Sequence, residues 1–165
     1  MKLLRITAAV AALALTATPA LAVDPNQHAT ATARIIKPLT MTWVQDLDLG
    51  SITLVDSGPT TVGITRAGFF SCPGPAVTCS GTPQVARYTI TGTNNQVVTV
   101  NSGNVSLVGP AGSTPMLLTV DAPASINLGN SGASGTPLSI GGSISVAGTQ
   151  AEGTYTGTFA VTVNY

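Results

Sequence analysis

Charged and aromatic side chains are scarce in this sequence: of its 165 residues, 7% are charged and 4% are aromatic. The formal net charge is zero, and the few Lys and Arg residues are scattered along the chain. A nucleic-acid interface needs a basic patch that neutralises phosphates. The composition therefore argues against nucleic acid as a partner.

Titratable groups suited to catalysis are equally scarce. His28 is the one histidine, and alone it completes neither a catalytic triad nor a metal site, so we interpret it as a solvated residue. Asp46 and Asp48 share one face of a strand and would suit Ca²⁺ or acid–base chemistry. We favour a second interpretation, in which Leu47 and Leu49 turn inward and both carboxylates face solvent. The sequence predicts a non-catalytic protein with no cofactor and no metal.

The first 22 residues have the pattern of a secretory signal peptide. Lys2 and Arg5 precede an apolar run that closes with a small-x-small cleavage site at Ala22. Cleavage there leaves residues 23–165 as a single domain with four basic and six acidic side chains. No later apolar stretch is long enough to span a bilayer as a helix. We therefore predict that the protein is secreted.

Cys72 and Cys79 are the two cysteines, and they enclose the segment PGPAVT. In a secreted protein such a pair predicts a local disulfide. Its chain-entropy contribution is about 2–3 kcal/mol, because the closed loop is short. The alternative is a pair of metal ligands. For that alternative the further ligands are missing, because His28 is distant in sequence and no Asp or Glu lies nearby.

Apolar residues alternate with polar ones through most of the chain, and turns rich in Gly, Pro and Asn interrupt the alternation. The segment ATATARIIKPLTMTW keeps one register from Ala29 to Trp43, which predicts an edge strand or two strands that meet at Pro38. In LSIGGSISV the register continues across Gly141-Gly142, where we expect a bulge or a bend between sheets. Eight to ten such strands, by our count, predict an all-β antiparallel sandwich.

The alternation is strongest in the stretch GTYTGTFAVTVNY, with which the sequence ends. We expect the large apolar residues on one face to point into the core, because burying each contributes about 1.5–3 kcal/mol. For Tyr165 we expect a ring that continues the buried register and a hydroxyl that finds a polar partner. The inward residues are Tyr155, Phe159, Val161, Val163 and Tyr165.

Two long segments, ATATARIIKPLTMTWVQDLDLGSI and PLSIGGSISVAGTQAEGTYTGTFAVTVNY, together with the signal peptide, resemble a bacterial family called domain of unknown function 4402. That family is similar to spore-coat-U-type and chaperone–usher pilin domains. The resemblance is most specific at the end of the sequence, where the family's closing pattern matches Gly153, Tyr155, Gly157 and Tyr165. The cysteine loop is not a feature of the family.

The resemblance implies an immunoglobulin-like, pilin-like sandwich that lacks one strand. A periplasmic chaperone, and then a like subunit delivered by an usher, would fill the gap by strand addition. The gap would be bordered by Tyr155, Phe159, Val161, Val163 and Tyr165. The protein would then be a structural subunit of a fimbrial or other surface assembly, located in the periplasm or at the bacterial cell surface.

The candidate donor strand carries Ala29, Ala31, Ala33 and Ile35. Three alanines bury little area, at about 25 cal/mol per Å², and the same segment would suit this domain's own first strand equally well. The alternative function is a self-complete extracellular module that binds carbohydrate, with Trp43 and the tyrosines stacking on a sugar.

Overall fold

The computed structural model describes residues 27–130 and 134–165, so the predicted signal peptide lies outside the described residues. The chain divides into two units after Arg34. In the described part of the first unit, residues 27–34 form no strand and their side chains are exposed. The second unit, Ile35–Tyr165, contains all the strands of the described chain.

The described residues contain strands and no helix, and every strand pair is antiparallel, which confirms the predicted all-β class. The strands are β1 (Thr40–Gln45), β2 (Ser51–Leu54), β3 (Thr60–Ile64), β4 (Phe70–Ser71), β5 (Val77–Ser80), β6 (Ala86–Thr91), β7 (Val97–Ser102), β8 (Val105–Leu107), β9 (Met116–Asp121), β10 (Ser125–Asn127), β11 (Thr136–Val146) and β12 (Val161–Asn164).

The long strand β11 lies in the middle of a seven-stranded sheet with the order β1-β6-β11-β3-β4, in which β9 also pairs with β11 and β8 pairs with β9. Its first half, residues 136–140, pairs with β6, which in turn pairs with β1. Its second half pairs with both β3 and β9. The partners change at Gly141-Gly142, where a Cβ on Gly141 would overlap the carbonyl oxygen of Ile64. At the glycine pair where a bulge or a bend was expected, the structure thus shows a change of partner strands, and only glycine lets the chains approach so closely there.

The second sheet has three strands in the order β10-β7-β12. β10 pairs with β7 along one edge. β12 pairs with β7 along the other edge, and an isolated bridge between Val108 and Thr156 continues that pairing beyond β8. This sheet packs face to face on β6 and the first half of β11, which gives the sandwich its core. That core consists of Ala86, Ile90, Val98, Val100, Leu128, Leu138 and Ile140.

The N-terminal part of the predicted first strand is wrong. β1 begins only at Thr40, and the stretch containing Ala29, Ala31, Ala33 and Ile35 is not a strand. Pro38 cannot donate a ladder hydrogen bond, and alanines gain little from burial. Trp43, which was placed on one face with Met41, is 59% exposed. The pairing of β1 with β6 is interrupted by a register shift between Trp43 and Gln45, directly after the tryptophan.

Two further differences concern short elements. The last predicted strand is confined to residues 161–164, because residues 153–160 hold only the single bridge at Thr156. Beside the cysteine loop lie β4 and β5, which the sequence pattern did not separate from a loop. The predicted disulfide is confirmed: Cys72 and Cys79 are bonded, with their Cα atoms 6.3 Å apart.

Candidate functional site: an open groove along one edge of the sandwich

A groove of about 930 Å³ opens between two extended segments of the second unit. We call residues 46–54 the first wall and residues 150–159 the second wall. The floor is a buried cluster contributed by β9 and the second half of β11, namely Met116, Leu118, Ile144 and Val146. β11 contributes to this floor only with its second half, after its partner strand has changed from β6 to β9. The groove therefore depends on the change of partner at Gly141-Gly142.

The first wall alternates between apolar residues that face the floor and polar residues that face outward. Leu47, Leu49, Ile52 and Leu54 pack on the floor, but each remains only half-buried. The wall turns at Gly50, whose φ of +73° suits glycine. The carboxylate of Asp48 accepts a hydrogen bond from the Gly50 N–H at 2.8 Å, which stabilises the turn.

The first wall is attached to the rest of the fold by backbone pairing. β2 pairs with β5, and Asp48 exchanges backbone hydrogen bonds with Gln84 at 2.9 and 2.8 Å. Within β5, Cys79 is bonded to Cys72, which follows directly after β4. The disulfide therefore links β5, which supports the first wall, to the residue after β4, the edge strand of the seven-stranded sheet.

The second wall is fixed by a tyrosine. Tyr155 packs on the floor cluster, and its hydroxyl donates a hydrogen bond to the Ala151 carbonyl at 2.9 Å. The amide nitrogen of the Gln150 side chain donates both to that hydroxyl, at 2.7 Å, and to the carbonyl of Thr114, at 2.6 Å. Phe159 packs against both hydrophobic clusters and stays half-buried.

Beyond the second wall, the chain continues into β12 along the same edge. Val161 and Val163 pack on the core cluster and are half-buried, so these two side chains point inward as predicted. The prediction that the Tyr165 ring continues the buried register is wrong: β12 ends at Asn164, and Tyr165 is 44% exposed. Its hydroxyl accepts a hydrogen bond from the Thr93 N–H at 2.8 Å and donates one to the Lys37 carbonyl at 2.7 Å. These are the polar partners expected for Tyr165, and they tie the end of this edge to the start of β1.

The backbone along this edge has one side engaged. Thr156 and Val108 exchange both of their backbone hydrogen bonds, at 2.8 and 3.0 Å. In an extended chain the neighbouring residues direct their N–H and C=O groups the opposite way, so we infer that those of Tyr155 and Gly157 point away from Val108. Among the described strands, none pairs with the outer edge of β12. The edge thus presents half of a β-ladder.

The rim of the groove is acidic. Asp46, Asp48 and Glu152 line it, and its described lining contains no Lys or Arg. Asp46 accepts a hydrogen bond from the indole nitrogen of Trp43 at 2.9 Å. Burial, with a smaller contribution from the nearby Asp46 carboxylate, raises the pKa of Tyr88, which also lines the groove. Asp46 and Asp48 are exposed while Leu47 and Leu49 turn inward, as in the solvent-facing interpretation.

The other residues considered in the sequence lie outside this site. His28 is exposed in the first unit. Across residues 27–130 and 134–165, no three His, Cys, Asp or Glu side chains come together as metal ligands. The same residues contain no helix long and apolar enough to cross a membrane. The groove itself was not foreseen as a cavity, although the resemblance pointed to the residues of its second wall.

Comparison with known proteins gives one match. A family model described as "Domain of unknown function (DUF4402)" matches residues 39–165. No curated protein and no solved structure matches the chain. The matched region spans every strand of the described chain and both walls of the groove. Residues 29–35 lie outside it.

Proposed function

The chain belongs to the DUF4402 family, and from this premise we propose that it is a secreted, non-catalytic structural subunit of a bacterial surface or fimbrial assembly. In this proposal the immunoglobulin-like sandwich is completed when a partner adds a strand at the groove. The partner is a like subunit or a periplasmic chaperone working with an usher. The signal-peptide pattern of residues 1–22 supports export to the periplasm or the cell surface.

The observation that carries the proposal is the incomplete burial of both walls. Leu47, Leu49, Tyr155 and Phe159 face the interior, yet all four remain half-buried. Fully burying a large apolar side chain contributes about 1.5–3 kcal/mol. A partner strand with apolar side chains at alternate positions would complete that burial, and the half-ladder near Tyr155 and Gly157 would supply its backbone hydrogen bonds.

A polar substitution on each wall tests the proposal. Phe159→Asp and Leu49→Asp place a charge where the partner's apolar side chains would pack. Thr158→Asp and Thr53→Asp are matched controls, because each adds the same carboxylate at an exposed position of the same wall. We expect the first pair to abolish assembly and co-purification with a chaperone, and the controls to retain both. Circular dichroism and urea unfolding establish that each variant is folded.

A measurement on the unaltered protein complements the variants. Amide hydrogen exchange at Tyr155 and Gly157 should slow when the protein is bound to its partner, because the added strand occupies those N–H groups. If exchange there is unchanged in the assembled protein, or if Phe159→Asp and Leu49→Asp assemble normally, strand addition at this groove is wrong.

One observation favours the alternative of a carbohydrate-binding module. The indole of Trp43 is 59% exposed beside a carboxylate that accepts its N–H hydrogen bond. Such a ring can stack on the apolar face of a sugar. Retention of the protein on a glycan array, lost in Trp43→Ala while assembly is unaffected, would favour this function over the structural one.

A further inference from the structure

The part of the first wall formed by β2 lies outside the two main sheets. Among the described strands, β2 pairs with β5 alone, and together they form a two-stranded sheet. The loop before β5 holds the end of β2, because the N–H groups of Val55 and Asp56 both donate hydrogen bonds to the carbonyl of Ala76, at 2.9 and 3.2 Å. Two paired strands by themselves are marginally stable in water. This half of the wall therefore depends on its attachment to the rest of the fold.

The disulfide provides such an attachment, directly behind a residue of the wall. Cys79 lies opposite Ile52 in the β2–β5 ladder, and Ile52 packs on the floor of the groove. Cys72 follows β4, the edge strand of the seven-stranded sheet. A hydrogen bond across the same junction, from the Thr60 hydroxyl to the Pro73 carbonyl, is long at 3.5 Å. The covalent bond is the stronger of these two links between wall and sheet.

We propose that the Cys72–Cys79 pair is a redox switch for the groove. In the oxidised chain the bond holds β2 and β5 at the edge of the sheet, and the first wall is in place to receive a partner. In the reduced chain β2 and β5 detach together and the wall opens. The sandwich core stays folded, because none of its buried residues comes from residues 51–80. This rests on the proposed function and adds the condition under which the groove is usable.

The switch implies a further partner of defined chemistry, a thiol–disulfide oxidoreductase in the compartment where the chain folds. A thiolate of the chain attacks the oxidoreductase disulfide to form a mixed disulfide, and the second cysteine then displaces the oxidoreductase. Two thiols of the chain become one disulfide, while two electrons and two protons pass to the oxidoreductase, which leaves as a dithiol. Both cysteines are partly exposed and residues 73–75 between them are exposed, so the pair is accessible to such a partner.

Amide hydrogen exchange in the isolated, unassembled chain tests the switch without any partner. Exchange in β2 and β5 is compared with exchange in the core strand β6. The comparison is made in the oxidised chain, in the chain reduced with dithiothreitol, and in the variant Cys72→Ser with Cys79→Ser. Leu128→Ala is the matched control. Leu128 is 1% exposed and lies outside the groove lining, so its truncation destabilises the core and leaves the wall in place.

We expect loss of the bond to raise the exchange of β2 and β5 relative to β6 about tenfold, because a local opening exposes those amides while the core is folded. In Leu128→Ala that ratio should not rise. If the ratio is unchanged in both forms that lack the bond, the disulfide acts only on the unfolded chain and the switch is wrong. Should the serine pair not fold, Cys72→Ala with Cys79→Val, whose apolar side chains suit partly buried positions, takes its place and the same ratio decides.

Assembly separates this inference from the proposed function. We expect the folded serine pair to lose assembly and chaperone co-purification, and Leu128→Ala to retain both. If the serine pair assembles as well as the unaltered chain, the disulfide does not control the groove, and strand addition stands. If Phe159→Asp and Leu49→Asp also assemble normally, strand addition at the groove is wrong, and the switch with it.

Discussion

Gly141 is the position where one methyl group should damage both the fold and the groove. A Cβ there would overlap the Ile64 carbonyl oxygen and lie 2.5 Å from the Thr65 carbonyl carbon and 2.6 Å from the Arg66 nitrogen. All three atoms belong to backbone, so no side chain can rotate away. Overpacking of this kind costs about 1–3 kcal/mol and sometimes more. We expect the loss of unfolding free energy in Gly141→Ala to lie near the upper end of this range. That loss is a large share of the roughly 5–15 kcal/mol that stabilises a typical domain.

Gly103→Ala provides the matched control for this prediction. Gly103 has no atom within 4 Å of its would-be Cβ and no positive φ, so the same methyl should change the unfolding free energy by less than about 0.5 kcal/mol. Urea unfolding followed by circular dichroism measures both variants. At roughly 1–3 kcal/mol per molar urea, a loss of about 3 kcal/mol should lower the midpoint for Gly141→Ala by about 1–3 M. Equal midpoints for the two variants would refute the view that β11 changes partner strands through a close backbone contact at Gly141.

Two further predictions concern tyrosines. Tyr165→Phe should lower the unfolding free energy by about 1–2 kcal/mol, because the hydroxyl loses its bonds to Thr93 and Lys37; an unchanged urea midpoint would contradict this. Tyr88 should ionise above the ordinary tyrosine pKa in an absorbance titration, because burial and Asp46 raise its pKa. Since the folded-state pKa is the higher one, the stability linked to Tyr88 is fully present below the unfolded pKa and is lost as pH rises through the folded pKa. Asp46→Asn should reduce the shift, and a titration in which Tyr88 ionises at the ordinary tyrosine pKa would contradict the assignment.

The strand whose alternating apolar side chains are buried was predictable from the sequence. In β11, Leu138, Ile140, Ile144 and Val146 alternate and are all buried. The glycine pair marks the point where β11 changes partner strands, because a side chain at Gly141 would overlap the backbone of residues 64–66. The disulfide was also predictable, since the signal-peptide pattern and the short spacing left few alternatives for two cysteines.

The errors lie where tertiary pairing, rather than local pattern, decides the outcome. Residues 29–35 alternate as regularly as a strand but bring only alanine and one isoleucine to a partner, and Pro38 interrupts the ladder. β4 and β10 are only two and three residues long, and they exist because a neighbouring strand offers hydrogen bonds. A pattern two or three residues long does not distinguish such a strand from a turn.

The groove shows what alternation leaves undetermined. Leu47 and Leu49 follow the same period-two rule as Leu138 and Ile140, and all four face the interior. The second pair is fully buried and the first pair only half-buried. Alternation specifies which side chains share a face, whereas burial depends on whether another layer covers that face. Strong alternation combined with half-burial on two walls is the observation on which the proposed strand addition rests, and recognising it requires both the sequence pattern and the packing of the folded chain.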